Sequence, residues 1–418
     1  MFDLIIRNVF LNGSVTDIGI CGGKISSIGD LRGESAAETF EASSRFAATP
    51  AFYNTHTHAA MTLLRGFAED MELFEWLNEH IWPVEASLTP EEIYTGSKLA
   101  AIEMIKSGTV YFNDSYWHPR CALRAAEETG MRATIGLLSL KNADESGNIE
   151  CLEKYNQSPC KDRINIAHAP HAIYTVDEKR LREIADIMNS TGMPVHIHLA
   201  ETAREFDDCR KEHNGMTPTE YLDCIGLISP KTMLAHCVYL TDRDREIIAE
   251  RGAYIAHNPV SNLKLCSGMF DFEKAKAAGC KVTLGTDGTS SNNSLSMLDE
   301  MKFAALTAKT VSKSPKTGRV QDIFHCATVA GAEFAGVDAG VIAVGKAADM
   351  LLIDLANITT CAAYDTVSDL VYAATPEVIN SVICNGRFLM RDKVVPGEAD
   401  VISAAAEVCN RIKRDFKK

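Results

Sequence analysis

Apolar and polar residues alternate over short runs at both ends of the chain and follow a different rhythm between them. Near the N-terminus, "DLIIRNVFLN" and "DIGICGGKISSIG", interrupted by Gly and Asn, predict hairpins of a small β unit within residues 1–52. Residues 338–418 repeat the pattern in "GKAADMLLIDL" and "PEVINSVICNGRFLMRDKVV", then end in a helical tail, "ADVISAAAEVCNRIKRDFKK". Together the two ends predict one small β-sandwich domain.

Residues 53–337 instead alternate short β-rich runs with helical stretches, the rhythm of βα units. The predicted strands are "ATPAFYNTH", "GTVYFND", "MRATIGLLSL", "RINIAHAPH", "MPVHIHLAE", "TMLAHCV", "AYIAHNP" and "KVTLGTDG". Among the helices, "TPEEIYTGSKLAAIEMIKSG" has Thr89 placed as an N-cap and Gly108 just past its end. "VDEKRLREIADIMNSTG" is a second. Eight such strands match a (β/α)₈ barrel in count and length, so the fold class is α/β, a TIM-type barrel with a β-sandwich built from both chain ends. An open doubly wound sheet would need a glycine fingerprint that the chain lacks. The one P-loop-like stretch, "GVIAVGKA" from Gly340 to Ala347, has Ala347 where Ser or Thr is required.

The polar residues of interest fall at the C-terminal ends of these strands, the face on which barrel active sites lie. His56 and His58 close the first strand, and His168 and His171 the fourth. His196, His198 and Glu201 close the fifth, His236 the sixth, His257 the seventh and Asp287 the eighth. Residues two apart on a strand share a face and stand about 6.5 Å apart along it, so His56 and His58 can converge on one ion. A plain hydrogen-bonded pair is the alternative. Unpaired charge in a barrel mouth costs several kcal/mol against a domain stability of about 5–15 kcal/mol, so Asp287 and Glu201 need partners. Imidazoles with one carboxylate suit zinc or another borderline transition ion better than calcium or magnesium. His196 and His198 share a strand face, and parity leaves both open as ligands.

Composition narrows the function classes. A formal charge of −14 and the lack of a basic stripe exclude nucleic acid as a partner. No apolar run reaches the length of about eighteen residues needed to span a bilayer, and Asp3 and Arg7 interrupt the one stretch that could mimic a signal. The expectation is a cytoplasmic protein without a membrane partner. Its 13 cysteines are scattered without a CxxC pair, which predicts reduced core residues instead of disulfides or a thiolate metal site.

Taken together, "NTHTHAAMTLLRGFAED", "IWPVEASLT", "APHAIYT", "HIHLAET", "LAHCV", "HNPVSNLKL" and "LGTDGTSSNNSLSM" resemble the amidohydrolase superfamily. Within it they resemble the 5'-methylthioadenosine/S-adenosylhomocysteine deaminase group, over nearly the whole chain. The resemblance implies one divalent metal ion, zinc with iron or manganese as alternatives, held by His56, His58, His198 and Asp287, with His196 outside that set. It implies Glu201 as proton shuttle, His236 as a polarising group over the attacking water and Asp287 as the acceptor of that water's proton. Glu85 would hold the ribose hydroxyls and His171 would contact the nucleoside. Substrates would be adenine nucleosides and water, and a homo-oligomer is expected. A carboxylated lysine that bridges two metals in other branches has no counterpart in "INIAHAPH". His168 and His257 remain as supporting residues behind the ligands, and Trp82 and Phe67 as pocket walls. His80, His118, His213 and His325 lie away from strand ends and are expected at the surface.

Members that take S-adenosylhomocysteine are understood to hold its carboxylate with arginines after the third strand. This chain has none between Arg132 and Arg163, offering only Lys141 in "GLLSLKNADESGNIE". A lysine does not reproduce a bidentate guanidinium fork. The expected preference is for a small or uncharged 5' substituent, as in 5'-methylthioadenosine, 5'-deoxyadenosine or adenosine. Two alternatives are a chloro-s-triazine or other aminoheterocycle hydrolase with the same metal site, and a barrel serving only as a scaffold.

Overall fold

Each of the eight apolar runs becomes a fully or nearly fully buried strand, because helices cover one face of the sheet and packed side chains fill the other. We describe the protein from a computed structural model covering residues 1–416 apart from residue 363. The strands are β1 (Phe52–Thr57), β2 (Thr109–Tyr116), β3 (Arg132–Ser139), β4 (Ile164–Pro170), β5 (Val195–Leu199), β6 (Thr232–His236), β7 (Tyr254–His257) and β8 (Lys281–Leu284). Each pairs in parallel with the next, giving the predicted barrel. The helix Pro90–Lys106 starts at Thr89 in a capping box with Glu92, and Gly108 follows it at φ +89°.

The barrel closes between β1 and β8 through side chains as well as backbone. Thr55 Oγ1 meets Thr283 Oγ1 at 2.7 Å and donates to Leu284 O at 2.9 Å. Asn54 Nδ2 donates to Thr286 Oγ1 at 2.7 Å, Asn54 Oδ1 accepts from Thr286 N at 3.1 Å, and Asp287 N donates to His56 O at 2.9 Å. Gly285 permits this approach, since a Cβ there would lie 2.7 Å from His56 Cβ. The seam thus brings the ends of β1 and β8, with His56 and Asp287, side by side.

Strands from both chain ends form a separate mixed sheet whose hydrogen bonding runs through a single network of eight strands. Its centre is the antiparallel pairing of Phe46–Pro50 with Met350–Asp354, which joins the two termini. Leu4, Ile6, Ile18, Phe40, Met350, Leu352 and Ile383 pack into a core of its own. The terminal helix Glu398–Phe416 lies elsewhere, with Ala405 and Ile412 packed among barrel residues such as Leu63, Leu64 and Ile93.

Asp349 locks sheet to barrel. It accepts from Tyr53 Oη at 2.5 Å, from Arg132 Nε at 2.8 Å and from Asn385 N at 2.6 Å, all but free of solvent. Removing one member of a buried pair strands the other charge, so Asp349→Ala is expected to cost roughly 3–5 kcal/mol in an unfolding experiment. A loss under about 1 kcal/mol would show that the pair contributes little.

Candidate active site

At the C-terminal end of the barrel, backbone carbonyls decide how the histidines present their nitrogens. His58 Nδ1 lies 2.5 Å from Ser115 O, and His198 Nδ1 lies 2.7 Å from His171 O. A carbonyl only accepts, so both Nδ1 atoms carry the proton and both Nε2 atoms are left as lone pairs. Those Nε2 atoms face each other at 3.2 Å. His56 Nδ1 is 2.7 Å from His196 Nε2, which leaves His56 Nε2 fully buried without a hydrogen bond. Burial pushes the His56 pKa down to about 4, so this ring stays neutral.

Into the same space comes Asp287 Oδ1, 3.4 Å from His56 Nε2 and 3.3 Å from His58 Nε2. Its other oxygen accepts from Ser261 Oγ at 2.6 Å and Ser291 Oγ at 3.1 Å, and Gly288 N donates to Oδ1 at 2.8 Å. Burial opposes its charge, but the neighbouring histidines outweigh burial and hold its pKa well below the usual carboxylate range. His58 and His198 thus turn Nε2 lone pairs, and Asp287 a carboxylate oxygen, into the space that the buried His56 Nε2 also enters. A cation relieves the repulsion in such a donor set; the ligand atoms of His56, His58 and His198 lie close enough to share one, as do those of His56, His236 and Asp287, and both are donors of the kind a divalent transition metal takes.

Glu201 is the counterpart of Asp287. It is 5% exposed, accepts from Ser267 Oγ at 3.1 Å, and has its pKa raised by burial. Two carboxyls with pKa values pushed apart are equipped for opposite roles, one ionised and one holding a proton. His236 Nε2 lies 3.8 Å from Glu201 Oε2, and its Nδ1 is fixed by Asn262 Oδ1 at 2.8 Å. His236 and Asp287 both adopt left-handed backbone, at φ +73° and +61°. Strain of this kind gathers at sites that the surroundings over-determine.

A cavity of about 60 Å³ above these groups is lined by His58, Glu85, His171, His198, Glu201, His236 and Asp287. It shares Trp82, Glu85, Trp117, Leu140 and Tyr174 with a second cavity of about 600 Å³. Glu85 is 6% exposed and accepts from Trp117 Nε1 at 3.1 Å, and burial raises its pKa. His171 hydrogen-bonds Thr175 Oγ1 through Nδ1 at 2.9 Å while its ring lies 4.7 Å from that of His198. Trp82 lines the pocket, whereas Phe67 is not among its lining residues and is partly buried against the apolar cluster that contains Leu73 and Trp76.

His168 and His257 do not support the ligands as expected. They share strand parity with Ile166 and Ile255, which belong to the main apolar core, so they point to that same face and away from the one bearing His196 and His198. The ring of His257 rests on Phe270 at 4.8 Å, and both nitrogens of each histidine lack hydrogen bonds. His196 instead fills that supporting role, beneath His56. None of His80, His118, His213 and His325 is buried.

Several bracing residues escaped the sequence reading. Asp114 Oδ1 accepts from Ala59 N at 2.7 Å, anchoring the backbone beside His58. Glu205 accepts from Ala200 N and Glu201 N, both at 2.9 Å, and burial pushes its pKa up to about 7. The only signal was an acid one turn into the helix after a histidine-bearing strand. Ser261, Asn262 and Ser291 lay within quoted motifs, but nothing in their spacing told which atom each would meet.

Fold and donor set together define a metal-dependent hydrolase built on a (β/α)₈ barrel. The Amidohydrolase family model matches residues 47–389. The chain is 42% identical over 407 residues to 5-methylthioadenosine/S-adenosylhomocysteine deaminase 1 of Archaeoglobus fulgidus, covering 94% of each. It is 43% identical over 371 residues to 5'-deoxyadenosine deaminase of Methanospirillum hungatei, covering 87% of this chain and 82% of that one. An adenosine deaminase from Xanthomonas campestris with bound zinc superposes with a TM-score of 0.92 at 30% identity, over 99% of both chains. The chain belongs to the amidohydrolase family.

Proposed function

We propose that the protein is a metal-dependent deaminase of adenine nucleosides, with His56, His58, His198 and Asp287 holding one divalent ion, zinc by the chemistry of the donor set. The observation that supports this most is the facing pair of Nε2 lone pairs on His58 and His198 with Asp287 Oδ1 beside them. A divalent ion bound there supplies Lewis acidity, lowering the pKa of a water from about 15.7 toward 7.

The chain's own groups then manage protons. Glu201, whose protonated form burial favours and which Ser267 holds, donates to N1 of the purine as the water oxygen adds to C6. His236, turned by Asn262, directs Nε2 into the site to orient that water. Asp287 takes one proton of the water and passes it to the exocyclic amine, which leaves as ammonia, while the remaining hydroxyl proton returns to Glu201 as the C6 carbonyl forms. Glu85 and His171 hold the nucleoside, Glu85 through the ribose hydroxyls. The nucleoside would lie across the cavity of about 60 Å³ and the adjoining one of about 600 Å³, which share Trp82, Glu85, Trp117, Leu140 and Tyr174.

Glu85 separates nucleosides from triazines, which have no hydroxyl for it to hold. A hydrogen bond to a charged group contributes about 1.5–3 kcal/mol, so Glu85→Ala should lower nucleoside kcat/KM by roughly 10–100-fold and triazine turnover little. Equal losses on both would favour the triazine reading. Among the described lining residues of the wider cavity, Lys141 is the one lysine or arginine, and Arg132 is committed to Asp349. We infer a preference for small or uncharged 5' groups. A comparison of kcat/KM across 5'-methylthioadenosine, 5'-deoxyadenosine, adenosine and S-adenosylhomocysteine tests it, and a lead of about tenfold for the last would contradict it.

A further inference from the structure

Two loops carry the groups around Asp287, and one buried acid touches both. The loop after β8 bears Asp287 and Ser291. After β7, the short helix Pro259–Lys264 bears Ser261, which donates to Asp287 Oδ2, and Asn262, which fixes His236. Behind them stands Glu300, with no solvent exposure, in the first turn of the helix Met297–Ser312.

Glu300 Oε1 accepts from Asn292 Nδ2 at 2.6 Å. The second proton of that amide goes to Thr286 O, also at 2.6 Å, so Asn292 is pinned between Glu300 and the backbone adjoining Asp287. The other oxygen, Oε2, accepts from Val260 N at 3.4 Å, at the start of the helix that carries Ser261 and Asn262. A single carboxyl thus receives one N–H from each loop. Two acceptors opposite two donors is an arrangement that a carboxamide cannot satisfy, because its NH₂ would face one of the N–H groups. Asp287 sits in left-handed backbone, which a residue bearing a Cβ keeps only when its surroundings hold it there.

We propose that Glu300 is a positioning residue that yokes the β7 and β8 loops, and so sets Asp287 and His236 in register for metal holding and proton transfer. It touches neither the cavity nor the ligands. The proposal rests on the site described under Proposed function, and its test carries a readout that needs no substrate.

The experiment compares the full-length, zinc-loaded protein with its Glu300→Gln variant, measuring zinc loss to a competing chelator, kcat and KM separately, and the melting temperature. Outer partners of metal ligands typically account for 10–100-fold in affinity or activity. The expected result is a folded variant that loses zinc at least about tenfold more readily and turns over about 10–100-fold more slowly, with KM nearly unchanged. Zinc retention and kcat within about twofold of the unaltered protein would overturn the proposal. Should Glu300→Gln fail to fold, Asn292→Ala cuts the same yoke from its other end and must show the same two losses. Where both fold, the double variant should lose no more than the worse single one, whereas a loss equal to the product of the two would mean independent roles and would also overturn it. An unaltered protein that binds no divalent ion would instead refute the underlying site, and one that binds zinc but deaminates nothing would refute the activity while leaving the chelator test of Glu300 intact.

Discussion

Glu201→Gln is expected to lower kcat for nucleoside deamination by about 10²–10⁴-fold while leaving the metal bound and KM close to its original value. The carboxyl is buried, its pKa is raised by that burial, and Ser267 occupies only Oε1. Burial thus favours its protonated form, and the carboxyl is directed into the cavity that contains His236 and Asp287. Glutamine keeps the shape and the bond to Ser267, but it has no acidic proton for N1 of the ring. Because Glu201 lies outside the group of lone pairs formed by His56, His58 and His198, metal content should not change. A kcat within tenfold of the unaltered enzyme would remove Glu201 from the proton path.

Asp287→Asn is expected to do more, because in the proposed site this one residue supplies both a ligand and the proton acceptor. Oδ1 closes the donor set against His56 and His58, and Oδ2 is held by Ser261 and Ser291 hydroxyls. An amide in its place removes the negative charge and sets an NH₂ either against the imidazole lone pairs or against the serine hydroxyls. Metal affinity should fall by more than the 10–100-fold associated with outer partners, and activity should fall with it. Excess zinc should refill the site without restoring the rate, since no group remains to take the water's proton. Recovery of half or more of the original rate on adding zinc would mean that Asp287 only binds metal. His257→Ala, on the helix-facing side beside Phe270, should leave metal content unchanged.

Much of this arrangement was legible in the chain because barrels repeat a simple rule. Strand parity puts His56 with His58 and His196 with His198, and the C-terminal end of each strand is the face that carries chemistry. The same parity, applied within β4 and β7, would have turned His168 and His257 outward, since they share a face with Ile166 and Ile255 of the main apolar core. Choosing between His196 and His198 was beyond parity. The structure separates them by depth, with His196 under His56 and His198 facing His58. Asp114, Glu205 and Glu300 were hidden for a different reason. Each serves backbone or side-chain N–H groups far off in sequence or one turn away, and an acid early in a helix is ordinarily read as a complement to the helix dipole. The closing of β1 against β8 was equally unreadable, because it depends on Asn54, Thr55 and Thr283 meeting across more than two hundred intervening residues.

The central claim is that one divalent ion, gripped by His56, His58, His198 and Asp287, is required for turnover. It is tested most directly by stripping the protein with a chelator, confirming by elemental analysis that it is metal-free, and titrating zinc back while following ammonia release from 5'-deoxyadenosine. The account predicts an inactive stripped protein whose rate rises in proportion to added zinc and levels off at about one equivalent per chain. Full turnover by the metal-free protein would contradict it.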